Sequence, residues 1–168
     1  MDREACSDSK IIGWREWPSL PELGIVAIKG KIDTGAKTSS LHAFDIRLQK
    51  KAAKTYVYFK VHPIQNNSKI IVNCKALLVD KRLVSDSGGH KEERFVICTT
   101  IILAGVKKTI ELTLTNRASM KYRMLIGRAA LKHFYIDPTQ SYLSGKTTKQ
   151  KRFLKELLKK SPLNSQHN

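Results

Sequence analysis

The sequence predicts a mainly β protein in which short strands form a closed or nearly closed barrel. Two observations support this fold class. Runs with β-type alternation recur between clusters of turn-forming residues, as at 55–61, 70–79 and 95–103. In addition, two apolar, strand-like stretches each lead into a glycine-containing turn, one at 33–35 and one at 127–128. Short strands with frequent turns are typical of β barrels.

The chain is long enough for one small domain with a hydrophobic core. It has 168 residues, of which 41% are hydrophobic, and two domains are not expected at this length. We divide it into a disordered N-terminus at 1–10, a barrel domain at 11–145, and a basic helix and tail at 146–168. The polar N-terminus lacks the apolar stretch of a signal peptide, and no stretch approaches the roughly 20 apolar residues of a membrane span.

The surface is predicted to attract polyanions. Lys and Arg number 31 against 14 acidic residues, which gives a formal net charge of +17. Acidic polypeptides, RNA and anionic membranes would all be drawn to such a field, and charge alone does not choose among them.

The cysteines indicate a reducing compartment. Cys6, Cys74 and Cys98 are odd in number and form no C-x-x-C pair, so neither a disulfide framework nor a zinc knuckle is indicated. We therefore expect free thiols and a cytoplasmic protein.

The elements before the first turn are predicted to start irregularly and then pair. Both tryptophans and two prolines fall within residues 11–23, and proline disfavours a helix there. We interpret the tryptophans as anchors to the core rather than as ligand-binding aromatics. Residues 25–32 are predicted to form a hairpin that bends at Gly30 and delivers Asp33 into its turn.

The remaining elements are mostly strands. A hairpin is expected from 95–103 to 109–115, and a short helix over 128–133. The predicted strands after the first turn cover residues 44–48, 55–61, 70–79, 95–103, 109–115, 124–127 and 141–143.

The tail from Ser144 is predicted to form an amphipathic basic helix that ends at residues 161–162. It carries seven basic residues against the single acidic Glu156, and its apolar residues fall at helical spacing: Phe153, Leu154, Leu157 and Leu158. Such a helix suits contact with RNA, the ribosome, a membrane or a partner protein. The simpler interpretation is that it packs on its own barrel or across a dimer.

Three motifs in order carry the candidate chemistry. The first is the turn Asp33-Thr34-Gly35, which by itself is an ordinary turn. The second is a Gly-rich stretch at 85–90 between two strand-like runs, and the third is an apolar strand that ends in Gly127-Arg128. In this order they resemble the retropepsin-like aspartic peptidases, in which the third motif packs behind the catalytic loop and the Gly-rich hairpin forms a flap.

A closer resemblance covers roughly residues 11–145. It is to a bacterial family usually labelled ATP-dependent zinc proteases, whose members resemble retropepsins and often accompany ATP-grasp ligases that add glutamates to proteins. The stretches that carry it are 12–17, 20–24, 31–43, 110–117, 136–138 and 141–143. The chain has no H-E-x-x-H and no G-x-x-x-x-G-K-[ST] loop, so we predict no metal and no cofactor.

The region between the first turn and the flap is longer than in a minimal retropepsin. We expect either an enlarged barrel wall or an inserted hairpin there.

The resemblance implies a dimeric active site. An aspartic peptidase needs two carboxylates that share a proton, one as the general base on water and one to polarise the scissile carbonyl. This chain has a single D-T-G, so the second carboxylate would be Asp33 of another copy in a homodimer. Thr34 would tie the two loops together, and Gly35 would let the backbone approach the substrate.

Further roles follow from the same resemblance. Gly127 and Arg128 would be structural support behind the loop. The candidate substrate contacts are Ala36, Lys37, His42, Gly88, Gly89, Asn116 and Arg117. For His42 we slightly favour a core or surface histidine bonded to backbone. Asn116 and Arg117 would bind a substrate carboxylate, and a surface loop explains them equally well.

The predicted function is peptide hydrolysis by an Asp33 dyad, with glutamate-rich tails as one class of substrate that the basic surface would steer. The main alternative is a non-catalytic binding module of the same fold that docks on RNA, the ribosome or an acidic protein. A metallopeptidase has the weakest support from the residues.

Overall fold

The computed structural model describes residues 9–85 and 88–160, and for residue 160 only the backbone. It shows a mainly β fold. The strands are β1 (Lys10–Gly13), β2 (Arg15–Glu16), β3 (Gly30–Asp33), β4 (Ser39–His42), β5 (Phe44–Lys51), β6 (Lys54–Val61), β7 (Val72–Ser85), β8 (Lys91–Leu103), β9 (Val106–Thr115), β10 (Met124–Gly127) and β11 (Phe134–Asp137). A helix, α1 (Thr148–Lys160), follows, and short 3-10 turns lie at Pro21–Leu23 and Arg128–Ala130.

Nine of these strands form one sheet, in the order β2-β3-β10-β4-β9-β8-β7-β6-β5, while β1 and β11 form a separate parallel pair. Within the described part of the chain β2 and β5 are the ends of this order, so the predicted barrel closure is not seen. The long region after the first turn forms the hairpin β5–β6, which extends the sheet beyond β7. Exposed basic residues line the outer strand β5, as expected for an edge strand that avoids further pairing.

The first predicted hairpin is wrong. Gly30 does not bend the chain but opens β3, where it pairs with Met124 and Glu16. The apolar residues before it, including Ile25 and Ile28, are fully buried without belonging to a strand. A short apolar run indicates burial more reliably than it indicates a strand.

The end of the domain also differs from the prediction. The last strand is Phe134–Asp137, paired with β1, rather than 141–143. The segment at 141–143 instead returns to β2, where the Tyr142 N–H donates to the Arg15 carbonyl at 2.8 Å. The predicted helix after Gly127 is reduced to the single turn Arg128–Ala130.

The hydrophobic core joins nearly all of the strands. Its members range from Ile12 in β1 to Leu131 after β10, and the fully buried ones include Leu41, Leu112 and Ile126 from three neighbouring strands. The hairpin between β8 and β9 is confirmed, with a two-residue turn at Ala104 and Gly105. This core holds β3, β10 and β4 in fixed register.

The predicted C-terminal helix is confirmed. A reciprocal cap starts it, since Thr147 Oγ1 accepts from the Gln150 N–H at 3.2 Å and Gln150 Oε1 accepts from the Thr147 N–H at 2.9 Å. Gln150 Nε2 also donates to the Trp17 carbonyl at 2.9 Å, which ties the helix to the N-terminal segment.

Several predictions concern the chain ends. Residues 1–8 and the predicted helix end at 161–162 lie outside the described residues, and Lys10 already belongs to β1. In the part of the chain that is described, no helix has both the length and the apolar character to cross a membrane.

Candidate active site

The Asp33 turn lies where two parallel strands end side by side. Gly127 at the end of β10 pairs with Asp33 at the end of β3. The half-buried Asp33 carboxylate accepts the Gly35 N–H at 3.1 Å. A Cβ on Gly35 would lie 3.2 Å from this carboxylate oxygen. The turn is therefore closed by the Asp33 carboxylate itself.

Gly127 lets the loop after Asp33 pack directly on β10. A Cβ at this position would lie 2.7 Å from the Thr38 carbonyl carbon and 2.8 Å from the Lys37 carbonyl oxygen. The Gly127 N–H in turn donates to Ser39 Oγ at 3.1 Å. Only glycine fits between these backbone groups.

Arg128 holds the same loop from its other side. Its N–H donates to the Ala36 carbonyl at 2.8 Å, and the next N–H, that of Ala129, donates to the Lys37 carbonyl at 3.0 Å. Its guanidinium donates to the Thr34 carbonyl at 2.9 Å. This is the packing behind the loop that the resemblance implied for the Gly-Arg motif.

An open cavity of about 480 Å³ lies beside Asp33 and Thr34. Its lining includes Lys31, Arg117 and Lys121, and among the described residues Asp33 is its one carboxylate. Burial lowers the pKa of Arg117, the neighbouring Arg94 lowers it further, and Asp33 acts in the opposite direction. The structure thus brings the predicted residues Asp33, Thr34 and Arg117 together in a largely cationic cleft.

His42 lies behind the cleft rather than in it. Its side chain is 1% exposed, and Nδ1 accepts the Arg117 N–H at 2.9 Å. The ring also stacks near Phe44 and His62. The core interpretation of His42 therefore fits, and its contact with the Arg117 backbone makes it a positioning residue for the 116–123 loop.

Burial of His42 should make the fold sensitive to acid. Burial, followed by Arg123, His62 and Arg117, lowers the pKa of His42 from 6.5 to about 4. Between these two values the unfolded chain binds a proton at this residue that the folded chain does not, so folding stability falls as the pH drops below 6.5. The full loss would be about 3 kcal/mol.

Urea unfolding across this pH range measures the effect. His42→Gln keeps an oxygen that can accept the Arg117 N–H but removes the titration, and all other groups are shared with the wild type. We expect the wild type to lose more stability than the variant on acidification. Parallel curves for the two proteins would contradict the assignment.

The predicted flap hairpin is confirmed as a hairpin of β7 and β8, in which Ser85 pairs with Lys91. Residues 86–87 of its tip are outside the described residues, and Gly88 and Gly89 are exposed. One position from the Ser85–Lys91 pair, Glu92, which pairs with Val84, accepts the hydroxyl of Thr115 at 2.9 Å. The flap is therefore attached to β9 just before the loop that carries Arg117.

Other predicted contacts lie at the rim or on the surface. Asn116 is exposed, and its Oδ1 accepts the Ala118 N–H at 3.0 Å, which shapes the loop. Lys37 is exposed close to Glu111, whose pKa it helps to lower. Neither residue lines the Asp33 cavity.

The label of the resembling family implies a bound zinc ion, but the described residues do not form a zinc site. Among the described residues there is no group of three His, Cys, Asp or Glu side chains placed to hold a metal. In the described part of the chain no histidine or cysteine lines the Asp33 cavity. Burial raises the pKa of the Cys74 thiol to about 12, which makes a thiolate unfavourable there.

Sequence reasoning missed part of the cleft. Lys31, Lys121 and Tyr122 line the cavity with Asp33 but were not among the predicted contacts. These residues could have been found from their positions in the sequence. Lys31 lies in the strand that delivers Asp33, and residues 121–122 lie just before β10.

Comparison with known proteins agrees with this geometry. Residues 11–147 match the RimB-like family, described as retropepsin-like aspartic endopeptidase RimB. A crystal structure of a Legionella pneumophila protein of unknown function superimposes with a TM-score of 0.69 at 27% sequence identity, covering 82% of this chain and 99% of that one.

Two relatives are named probable alpha-L-glutamate ligases. The one from Shewanella pealeana is 48% identical over 141 residues, which cover 83% of this chain and 31% of the relative. The one from Desulfotalea psychrophila is 43% identical over 158 residues, covering 92% and 34%. This chain therefore spans about a third of the length of these relatives.

Proposed function

Because the chain belongs to the RimB-like family of retropepsin-like aspartic endopeptidases, we propose that it hydrolyses peptide bonds with two Asp33 carboxylates, one from each copy in a homodimer. The observation that carries the proposal is a half-buried carboxylate on a loop held by Gly127 and Arg128, in a cavity where no other described residue supplies a carboxylate. The chemistry needs a pair, and a two-fold axis near Asp33 supplies it.

In the assembled site the two carboxylates share one proton. The ionised one removes a proton from the attacking water, and the protonated one donates to the carbonyl oxygen of the scissile bond. Thr34 is exposed at the tip of each loop and contacts the partner loop. The flap glycines Gly88 and Gly89 close over the peptide.

The substrate is an acidic polypeptide, with glutamate-rich tails as the favoured class. Lys31, Arg117 and Lys121 line the cavity around Asp33, and the net charge of +17 attracts acidic chains. The glutamate-ligase names of relatives that contain a homologous stretch support a link to glutamate-bearing proteins. The free thiols Cys74 and Cys98 support action in the cytoplasm.

The alternative function is a binding module that uses the same cationic cleft without hydrolysis. Its specific support is that each chain places only one carboxylate among the residues lining the cavity, so an undimerised chain would bind an acidic peptide and not cut it.

Unfolding wild-type and Asp33→Asn protein together and refolding the mixture, so that subunits pair at random, tests the shared dyad. If each site needs one aspartate from each copy, activity on a glutamate-rich peptide should fall with the square of the wild-type fraction, to about one quarter at equal mixing. Cleavage is measured by mass spectrometry across protein concentration, with and without a chelator.

A linear fall in activity would contradict a shared dyad, and loss of activity with chelator would contradict the aspartic mechanism. No cleavage by wild type at any concentration, with the peptide still bound, would favour the binding module.

A further inference from the structure

A second cavity, of about 740 Å³, runs beside helix α1 on a different part of the surface. We call it the helix groove. One wall is formed by α1 and the other by the segments around residues 17, 29 and 64–65. Its lining consists of Trp17, Lys29, Ile64, Gln65, Lys146, Lys151, Leu154, Lys155, Leu158 and Lys159. Five of these ten residues are lysines, and none is acidic.

The lysines and leucines of α1 form two parallel rows. Lys151, Lys155 and Lys159 are four residues apart, as are Leu154 and Leu158, so each row advances about 6 Å per step. Leu158 is 54% exposed, and no residue of α1 belongs to the hydrophobic core cluster among the described residues. Within the described residues, the groove therefore offers an exposed apolar strip bordered by positive charge.

The tryptophan in the groove already has neighbours around its ring. Lys29 and Lys146 lie over its ring, with Nζ at 5.5 and 4.8 Å from the centroid, and Tyr142 packs against it at 5.8 Å. A single-stranded nucleic acid would need such an aromatic face. The apolar strip instead suits the side chains of a peptide.

The groove is also connected to the Asp33 cavity. The Gln65 side-chain amide donates to the carbonyl of Lys121, and Lys121 lines that cavity. Lys29 in the groove is two residues from Lys31 in the cavity. A chain bound in the groove would have its continuation close to Asp33.

We infer that the helix groove docks an acidic amphipathic segment of a partner polypeptide, with carboxylates at i and i+4 opposite the lysine row and apolar side chains over Leu154 and Leu158. Carboxylates four residues apart on a helix have the same 6 Å spacing as these lysines. Helices that lay an apolar face into a groove are a common mode of peptide recognition. This last step rests on the proposed function: a substrate that carries such a segment is held next to the site of hydrolysis.

Binding is tested in the Asp33→Asn protein, so that peptide cleavage does not enter the result. The probe is a labelled synthetic peptide with Glu in one i, i+4 row and Leu in a second, measured by fluorescence anisotropy. Lys155→Glu should weaken binding about fivefold and Leu158→Ala about threefold.

Two matched variants serve as controls. Arg152→Glu makes an equal change of charge on α1, and Leu83→Ala truncates an apolar side chain that is 65% exposed on β7. Neither residue lines the groove, so each should change binding by less than about twofold. A scrambled peptide and a leucine-free glutamate peptide should both bind more weakly than the patterned one.

Three results would overturn the inference: absence of binding, equal weakening by Arg152→Glu and Lys155→Glu, or equal binding of the scrambled peptide. Displacement of the peptide by a single-stranded RNA oligonucleotide at lower concentration would assign the groove to nucleic acid instead. Failure of the proposed peptidase activity leaves this test intact, because it uses a variant that is designed not to hydrolyse.

Discussion

Replacing Asp33 with Asn is expected to lower kcat for peptide hydrolysis by about 10³-fold or more, since the reaction loses both its general base and its proton donor. Asparagine keeps the Oδ1 that accepts the Gly35 N–H at 3.1 Å, so the turn should retain its shape. The thermal unfolding temperature and the affinity for substrate should therefore change little.

Asp137→Asn is a closely matched control. Its Oδ1 accepts the Thr139 N–H at 2.8 Å, two residues ahead, as Asp33 does with Gly35. Asp137 lies in β11 and does not line the Asp33 cavity. Hydrolysis at the wild-type rate is expected for this variant. Residual activity of Asp33→Asn close to that of the control would remove Asp33 from the mechanism.

Replacing Gly127 with Ala is expected to be the most destabilising single-methyl change near the site. The new Cβ would lie within 2.8 Å of backbone atoms of residues 37 and 38, and backbone yields less easily than the end of a side chain. We expect a loss of about 3 kcal/mol, which corresponds to a fall of about 10 °C in Tm for a chain of this size. Displacement of the Asp33 loop should also abolish hydrolysis.

Gly89→Ala provides the comparison for this prediction. It lies at the flap hairpin with a φ of +83°, and no atom of the described residues lies within 4 Å of an added Cβ, so the cost is the strain of a side chain in the left-handed region rather than a clash. Its expected effect is about 1 kcal/mol. Calorimetry measures the stability of both variants. Equal losses of stability would show that close packing on Gly127 is not what holds the loop.

The two proposed sites are both positively charged. The Asp33 cavity carries Lys31, Arg117 and Lys121, and the helix groove carries five lysines. Because Gln65 bonds to Lys121 between them, a long acidic chain would meet one positive surface. Exposed charges of this kind are screened by salt, so substrate affinity should fall as ionic strength rises.

Much of the local structure could be predicted from the sequence alone. Alternation between apolar and polar residues indicated most strands, the spacing of leucines indicated α1, and the paired D-T-G and Gly-Arg motifs indicated the loop at Asp33. Each of these signals is contained in one short stretch, because strand and helix periodicity depend on near neighbours along the chain.

Only the tertiary structure decided the rest. Within the described residues the sheet ends at β2 and β5 instead of closing, and the apolar run before Gly30 is buried outside the named strands. Arg117 joins Asp33 in one cleft and His42 accepts its backbone N–H across 75 positions in the chain. Such contacts depend on strand register and packing between distant segments, and no local pattern encodes which distant partner a strand will take.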